Sequence, residues 1–561
     1  MEDYSRRKFI SFIGKAGLGS LILPQFLMSC GNTTTPTKSF KTTSKKRLDE
    51  LKKLVLEGLN PSDKDDLLLA NGLDYHPIIK WGDKISDTDT FGFNNDFTCF
   101  IPFDENNPKD GLLWVNHEYV NSLFVSDFNY RDYKNPSEHR TKEQVDKEMY
   151  NVGGTIVRIR ENNGIWEVVK NDPHNRRITA KTPIKLNWDT PIKGKKTVIG
   201  TLANCSGGIT PWKTFLTCEE NYDGFWGETE YDENNNATHK PSFQQWENFY
   251  DYPPEHYGWV VEVNPKDGTA QKHIALGRFA HECCTLYELE DKRVVAYTGD
   301  DHNNEHLYKF ISSKPSSLKE GTLYVADTIN GKWLPLDWET QPILKNKFKN
   351  QTEVLIRARE ASKLLGATEL NRPEDIEIDP ITGHVFVSLT NNKTKNDFHG
   401  SILKLEETNG EFDSLTFKAT TFKAGGEESG FSCPDNLAFD LSGNLWMTSD
   451  MSGSSMNRPD KPYYIPFKNN SLFVIPRLGK DAGKVIRVAT APNDAELTGP
   501  WFSPDGKTLF LSVQHPGEQT KDINNTTSKW PFDEDNIPKS AVVAITGDLI
   551  EKMNKLNQIE V

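Results

Sequence analysis

The chain has 561 residues, 36% hydrophobic and 11% aromatic, which is material for a large core and not the composition of a disordered chain. A net charge of -14 and a pI near 5.5 exclude a nucleic-acid polymer as the main partner, since phosphate backbones are held by clustered Lys and Arg. Seven cysteines spread over this length exclude a small disulfide scaffold, and beyond residue 30 no stretch is long and apolar enough to span a bilayer.

Ser5-Arg6-Arg7-Lys8-Phe9-Ile10 is a twin-arginine pattern, followed by an apolar stretch over 14–28. Such a signal sends folded proteins across the inner membrane of bacteria. Leu27-Met28-Ser29-Cys30 resembles a lipoprotein cleavage box with Cys30 as the lipid-bearing residue. Residues 1–30 are therefore expected to be a Tat signal with a lipobox. The Thr-, Ser- and Lys-rich stretch 31–46 is expected to be a flexible tether, and 47–561 the functional domain. This places the protein in the periplasm or on the outer membrane, touching a membrane only through its N-terminal lipid. A protein folded before export can be loaded with a chosen metal in the cytoplasm, which motivates a search for metal ligands.

Leu48, Leu51, Val55 and Leu59 have helical spacing, so a short helix is expected within 46–71. After that, short β-rich runs alternate with turn residues: 111–115, 214–217, 258–263, 293–297, 384–388, 471–475 and 508–512. This is an all-β pattern. Three of these hairpins repeat. Each has a proline, a short strand, a Gly-bearing turn, and a second strand ending in Ser or Thr. The prolines are Pro373, Pro434 and Pro500, spaced 61 and 66 residues apart. That interval suits four-stranded propeller blades with long loops, and the mature length accommodates about six to eight of them. A sandwich is the competing all-β fold. The loops 121–150, 222–255 and 453–469 read as excursions on one face.

A propeller gathers the same position of every blade around one channel. Acidic and amide residues recur at comparable strand-edge positions: Asn116-His117-Glu118, Glu219-Glu220-Asn221, His281-Glu282, Asp300-Asp301, Glu374-Asp375 and Asp435-Asn436. Burying so many carboxylates together is costly without cations, and hard cations are the simplest neutralisers. They would also let an acidic protein hold an anionic substrate. Cys205, in Asn204-Cys205-Ser206-Gly207-Gly208, would add a soft ligand and favour a transition metal such as iron, or else be a core thiol or half of a disulfide. Arg372, before Pro373-Glu374, is a candidate two-pronged grip on an oxyanion, or a surface arginine. Asp505-Gly506 is turn chemistry only. There is no P-loop, nucleophile elbow, dinucleotide fingerprint or zinc-protease helix.

An ordered set of motifs resembles the PhoX-type alkaline phosphatases, monomeric bacterial enzymes exported by the Tat route. It includes Phe91-Gly-Phe-Asn-Asn-Asp96, Trp114-Val-Asn-His-Glu-Tyr119 and Asn204-Cys205 with Thr210-Pro-Trp212, then Leu216-Thr-Cys-Glu-Glu-Asn221 and Tyr257-Gly-Trp-Val-Val-Glu262. It continues with Gly277-Arg-Phe-Ala-His-Glu282, Tyr297-Thr-Gly-Asp-Asp301, Asn371-Arg-Pro-Glu-Asp375 and Pro434-Asp-Asn436. The resemblance implies a six-bladed propeller and hydrolysis of phosphomonoesters, nucleotides and sugar phosphates among them. It implies a site of two ferric ions (Fe3+) and up to three calcium ions (Ca2+) joined through a bridging oxide that serves as nucleophile. By position, Cys205, Glu219, Glu282, Glu374 and Asp435 would be ligands and Arg372 would bind phosphate. Glu118, Glu220, Asp300 and Asp301 would take outer or calcium positions. The alternatives are a calcium-only phosphatase propeller of the phytase type, which has no use for Cys205, and a lipid-anchored binding propeller without enzymatic activity.

Overall fold

The computed structural model describes residues 56–554. Six sheets of four to six strands are arranged as the blades of a propeller, the expected all-β fold with the blade number settled at six. In chain order the innermost strands begin blade 1 at Asn95–Asp104, blade 2 at Asn204–Ile209 and blade 3 at Thr285–Glu288. They begin blade 4 at Pro373–Ile378, blade 5 at Pro434–Phe439 and blade 6 at Glu496–Phe502. Each continues outward through antiparallel neighbours, as in blade 4, where Val385–Leu389, Ser401–Glu407 and Phe417–Ala424 follow.

Toward the middle of each blade the strands are buried on both faces and rich in apolar residues. Leu445–Ser449 and Ser471–Ile475 are buried at every residue, and β-branched and aromatic side chains suit such strands. The hydrophobic clusters lie between neighbouring blades. Phe386 of blade 4 packs with Phe439 and Phe473 of blade 5, and Phe100 of blade 1 with Phe510 of blade 6. The ring is closed by the N-terminal chain. Leu68–Leu69 forms the outer strand of blade 5 against Ile486–Thr490, and Asp74–Lys80 the outer strand of blade 6 against Ala541–Thr546.

The twin-arginine pattern, Cys30, the tether and the first residues of the expected N-terminal helix lie outside the described residues. Where the expected helix overlaps the structure, 56–71, there is none. Pro61 and Gly58 interrupt it, and Leu56 and Leu59 pack instead on the blade 5–6 core. Helices occur elsewhere. Pro342–Lys347, Gln351–Ile356 and Ala358–Leu365 follow blade 3 in the chain and pack on the blade 2–3 core. The loops 121–150 and 222–255 share a small core of Met149, Trp226, Trp246 and Tyr257, fastened by a buried Arg140–Glu148 ion pair. None of the six described cysteines forms a disulfide.

Candidate metal centre

The innermost strands carry a β-bulge at one equivalent place. The pairing register slips between Asn95 and Thr98, Asn204 and Gly207, Pro373 and Ile376, and Pro434 and Leu437. In blade 3 the isolated bridge His281–Asp300 precedes the strand with the same offset. A bulge re-aims the residue it contains. Here that residue is Asp96, Cys205, Glu282, Glu374 or Asp435 in blades 1 to 5, and all five line one cavity at the start of the strands. The residue entering four of these strands is left-handed: Asn94 (φ 42°), Ala203 (51°), Arg372 (54°) and Cys433 (52°). Such conformations are uncommon outside glycine and cluster at functional sites. In blade 6 the bulge falls on Gly499, where a Cβ would sit 2.6 Å from the Phe97 backbone. That blade contributes Glu496 instead.

The second strands of blades 1, 2, 3 and 5 supply another tier. Glu118, Glu220, Asp301 and Asp450 follow the residues paired with the bulge entrance, and they also face the cavity. Because side chains alternate along a strand, the preceding residues face away. Glu219 therefore does not join the cavity. It receives the buried Lys272 ammonium at 2.6 Å and the Trp259 amide at 3.1 Å. Asp300 likewise turns from the cavity and takes a two-pronged grip from Arg359 at 2.8 and 2.5 Å. The structure thus brings together eight of the ten expected site residues: Cys205, Glu282, Glu374, Asp435, Glu118, Glu220, Asp301 and Arg372.

It also adds Asp96, Asp450 and Glu496, which are not among the candidate residues of the sequence. Asp96 ends the Phe91-Gly-Phe-Asn-Asn-Asp96 motif, Asp450 directly follows the second strand of the Pro434 hairpin, and Glu496 lies four residues before Pro500. Extending each repeat by a few residues at its cavity end was the available signal.

The cavity, about 260 Å³, is lined by ten carboxylates, the Cys205 thiol, one guanidinium and the His515 imidazole. Asp96, Glu118 and Cys205 bring ligand atoms within 4.8 Å of one another, as do Cys205, Glu220 and Glu282. The Cys205 thiol lies 3.0 Å from Glu282 Oε1. Burial first, and neighbouring carboxylates second, raise Asp96, Glu220, Glu282 and Glu496 well above the usual carboxylate range. Burial likewise carries Glu118 and Asp435 to about 7, and raises the Cys205 thiol. Arg372 contacts Glu374 at 2.6 Å, Asp301 at 2.8 Å and Asp450 at 3.2 Å. Burial opposes its charge, but these carboxylates hold it protonated.

One guanidinium cannot neutralise this set, and each uncompensated buried charge costs several kcal/mol. The donors fit cations. Glu374 Oε2 is buried without a hydrogen-bond partner. Several acids are steadied by neutral groups that leave other oxygen lone pairs free: Glu118 by Gln514 at 2.7 Å, Glu220 by Asn221 at 2.7 Å and Asp435 by Asn436 at 2.9 Å. Such outer partners orient metal ligands. Carboxylate oxygens suit hard cations, and one thiolate among them suits a transition metal.

A sequence model of one family, alkaline phosphatase PhoX, matches residues 55–517. Among solved structures, Pseudomonas fluorescens PhoX in complex with vanadate, a transition state analogue, is 29% identical. The match covers 89% of this chain and 98% of that one with a TM-score of 0.76. A protein of unknown function from Dyadobacter fermentans is 9% identical over 85% of this chain and 100% of its own, with a TM-score of 0.39. A Xanthomonas campestris gluconolactonase is 10% identical over 88% and 99%, with a TM-score of 0.35. Comparison with curated protein sequences returns no match.

Proposed function

The chain belongs to the alkaline phosphatase PhoX family and hydrolyses phosphomonoesters, and we propose that it does so in the bulge-lined cavity with ferric and calcium ions as its cations. The observation that carries this reading is the recurrence itself: five consecutive blades aim one acid or thiol each at the same point.

Cys205, Glu220, Glu282, Asp96 and Glu118 would hold the iron, since the thiol belongs to both close donor groups. Glu374, Asp435, Asp450, Asp301 and Glu496 would hold calcium through oxygen alone. Bound there, such cations supply Lewis acidity toward a phosphoryl oxygen and lower the pKa of water. Arg372 presents the planar fork suited to a phosphoryl dianion, on a backbone fixed in the left-handed region between blades 3 and 4. Gln514, Asn221 and Asn436 keep their acids from rotating as the phosphoryl group changes shape.

The placement of Cys205 favours this reading over a calcium-only centre. Elemental analysis of the native protein, with phosphate release measured before and after chelation, tests it. Iron and calcium are expected, with activity lost on chelation. Native protein holding calcium alone, yet fully active, would transfer the assignment to the phytase type.

We further infer, from the order of twin arginines, apolar stretch and cysteine, that the protein is exported by the Tat route and lipidated at Cys30. Arg6→Lys with Arg7→Lys should leave it in the cytoplasm, and normal export of that variant rules the inference out.

A further inference from the structure

Glu518 stands at the mouth of the cavity, one residue past the stretch that the family model matches. It belongs to neither of the close donor groups around Cys205. It is held from behind instead. The Tyr119 hydroxyl donates to its Oε1 at 2.7 Å and Gln519 Nε2 to its Oε2 at 3.0 Å. Asn121 Nδ2 reaches its backbone carbonyl at 3.4 Å. Opposite stands Gly453, where a Cβ would come within 2.6 Å of Glu518 Oε2. The missing side chain at 453 leaves the carboxylate its place on the rim.

Both side-chain donors to Glu518 are neutral, so its charge is not cancelled by a contact of its own. Each oxygen accepts one protein hydrogen bond and keeps lone pairs for a visitor. The rim beside it is polar: Asn221 and Ser452 line the same mouth. A phosphomonoester whose phosphoryl group sits among Arg372 and the deeper carboxylates must project its alcohol portion past this rim.

We propose that Glu518 selects the leaving group: it accepts hydrogen bonds from hydroxyls of the departing alcohol and repels alcohols that carry a further negative charge. The proposal rests on phosphomonoester hydrolysis in this cavity. Its physical basis is discrimination by an attractive contact and a repulsive one from a single group.

Glycerol 3-phosphate and 3-phosphoglycerate test it, because they differ by a hydroxymethyl group against a carboxylate. Their kcat/KM values are measured against phenyl phosphate as reference, for the metal-replete protein and for Glu518→Gln, which keeps an acceptor for Tyr119. The native protein should favour glycerol 3-phosphate by about tenfold, and the variant should lower that ratio by about fivefold. Iron and calcium contents should match.

An unchanged ratio, with all three substrates scaled alike, overturns the proposal by making Glu518 structural. Loss of metal in the variant overturns it by making Glu518 a ligand. The native protein gives a second measurement should the variant not fold: raising ionic strength from about 0.01 M to about 1 M should compress the ratio, and a salt-independent ratio overturns the proposal. Failure to hydrolyse all three substrates would be a failure of the phosphatase reading itself, visible in the native protein before any comparison of ratios.

Discussion

In blade 2, Glu219 and Glu220 are adjacent and both buried, yet they meet different fates. Glu219 ends on the Lys272 ammonium at 2.6 Å, and that ammonium also donates to the His256 carbonyl at 2.8 Å. Glu220 enters the cavity beside Cys205 and Glu282. Blade 3 repeats the contrast, with Asp300 gripped by Arg359 and Asp301 facing the cavity. Farther out, Glu407 is matched by Lys309 at 2.9 Å. Glu219, Asp300 and Glu407, outside the cavity, thus have a built-in cation each, while the acids inside share one arginine. The difference separates charges that belong to the scaffold from charges kept for ions the chain does not encode.

That contrast can be broken from either side. Cys205→Ala strikes the cavity side and should have the largest effect. Iron, the visible charge-transfer band expected of a thiolate bound to ferric iron, and activity should fall together, activity by about 10³-fold or ~4 kcal/mol of barrier. The variant should still fold, since no blade core includes this thiol and repeat folds spread their stability. Full iron content and turnover would make Cys205 a bystander.

Lys272→Met strikes the scaffold side. It strands Glu219 in a buried position and should cost about 3–5 kcal/mol in denaturant unfolding. Turnover per bound iron should be kept. Adding Glu219→Leu should recover most of the loss, because an apolar pair of similar size replaces a buried ion pair at little cost. A drop in iron content with the Lys272 variant would show that Glu219 serves the centre after all.

The smallest effect belongs to Cys218→Ala. Cys218 is fully buried in the blade 2–3 core, so about 1 kcal/mol of packing should be lost, with colour and turnover intact. Loss of the band in this variant would mean that the two thiols act together.

The fold was legible because its blades repeat, and each strand run read from the sequence falls within or against a strand of the structure. The site was legible down to residue types but not to facing. Glu219-Glu220 and Asp300-Asp301 look alike in a sequence, and only strand pairing decides which member of each pair turns inward. The bulge is equally silent, since nothing in Pro434-Asp435 announces that two residues will oppose one. Blade 6 shows the difficulty best. Its repeat was anchored on Pro500, whereas the residue that pairs as Pro434 does is Thr498, and Glu496 lay outside the compared stretch. The helices of 342–365 went unread although Val354, Leu355, Ala358 and Ala361 have helical spacing and are buried. In the chain they fall between the strands of blades 3 and 4 and so outside the strand repeat.

The pairing of Asp74–Lys80 with Ala541–Thr546 sets a timetable for the growing chain. A ribosome releases the first of these strands more than four hundred residues before its partner. Blades 1 to 4 can be completed as they emerge, from contacts within each blade and with the blade before. Blades 5 and 6 hold their outermost places for strands made at the start. Until the last blade arrives, the early strand has an unpaired edge, a template for wrong pairing, and the loop to be closed is nearly the whole domain. Ring closure therefore waits for the last strand to be made, and a chain cut short anywhere before residue 541 would lack the partner that seals it.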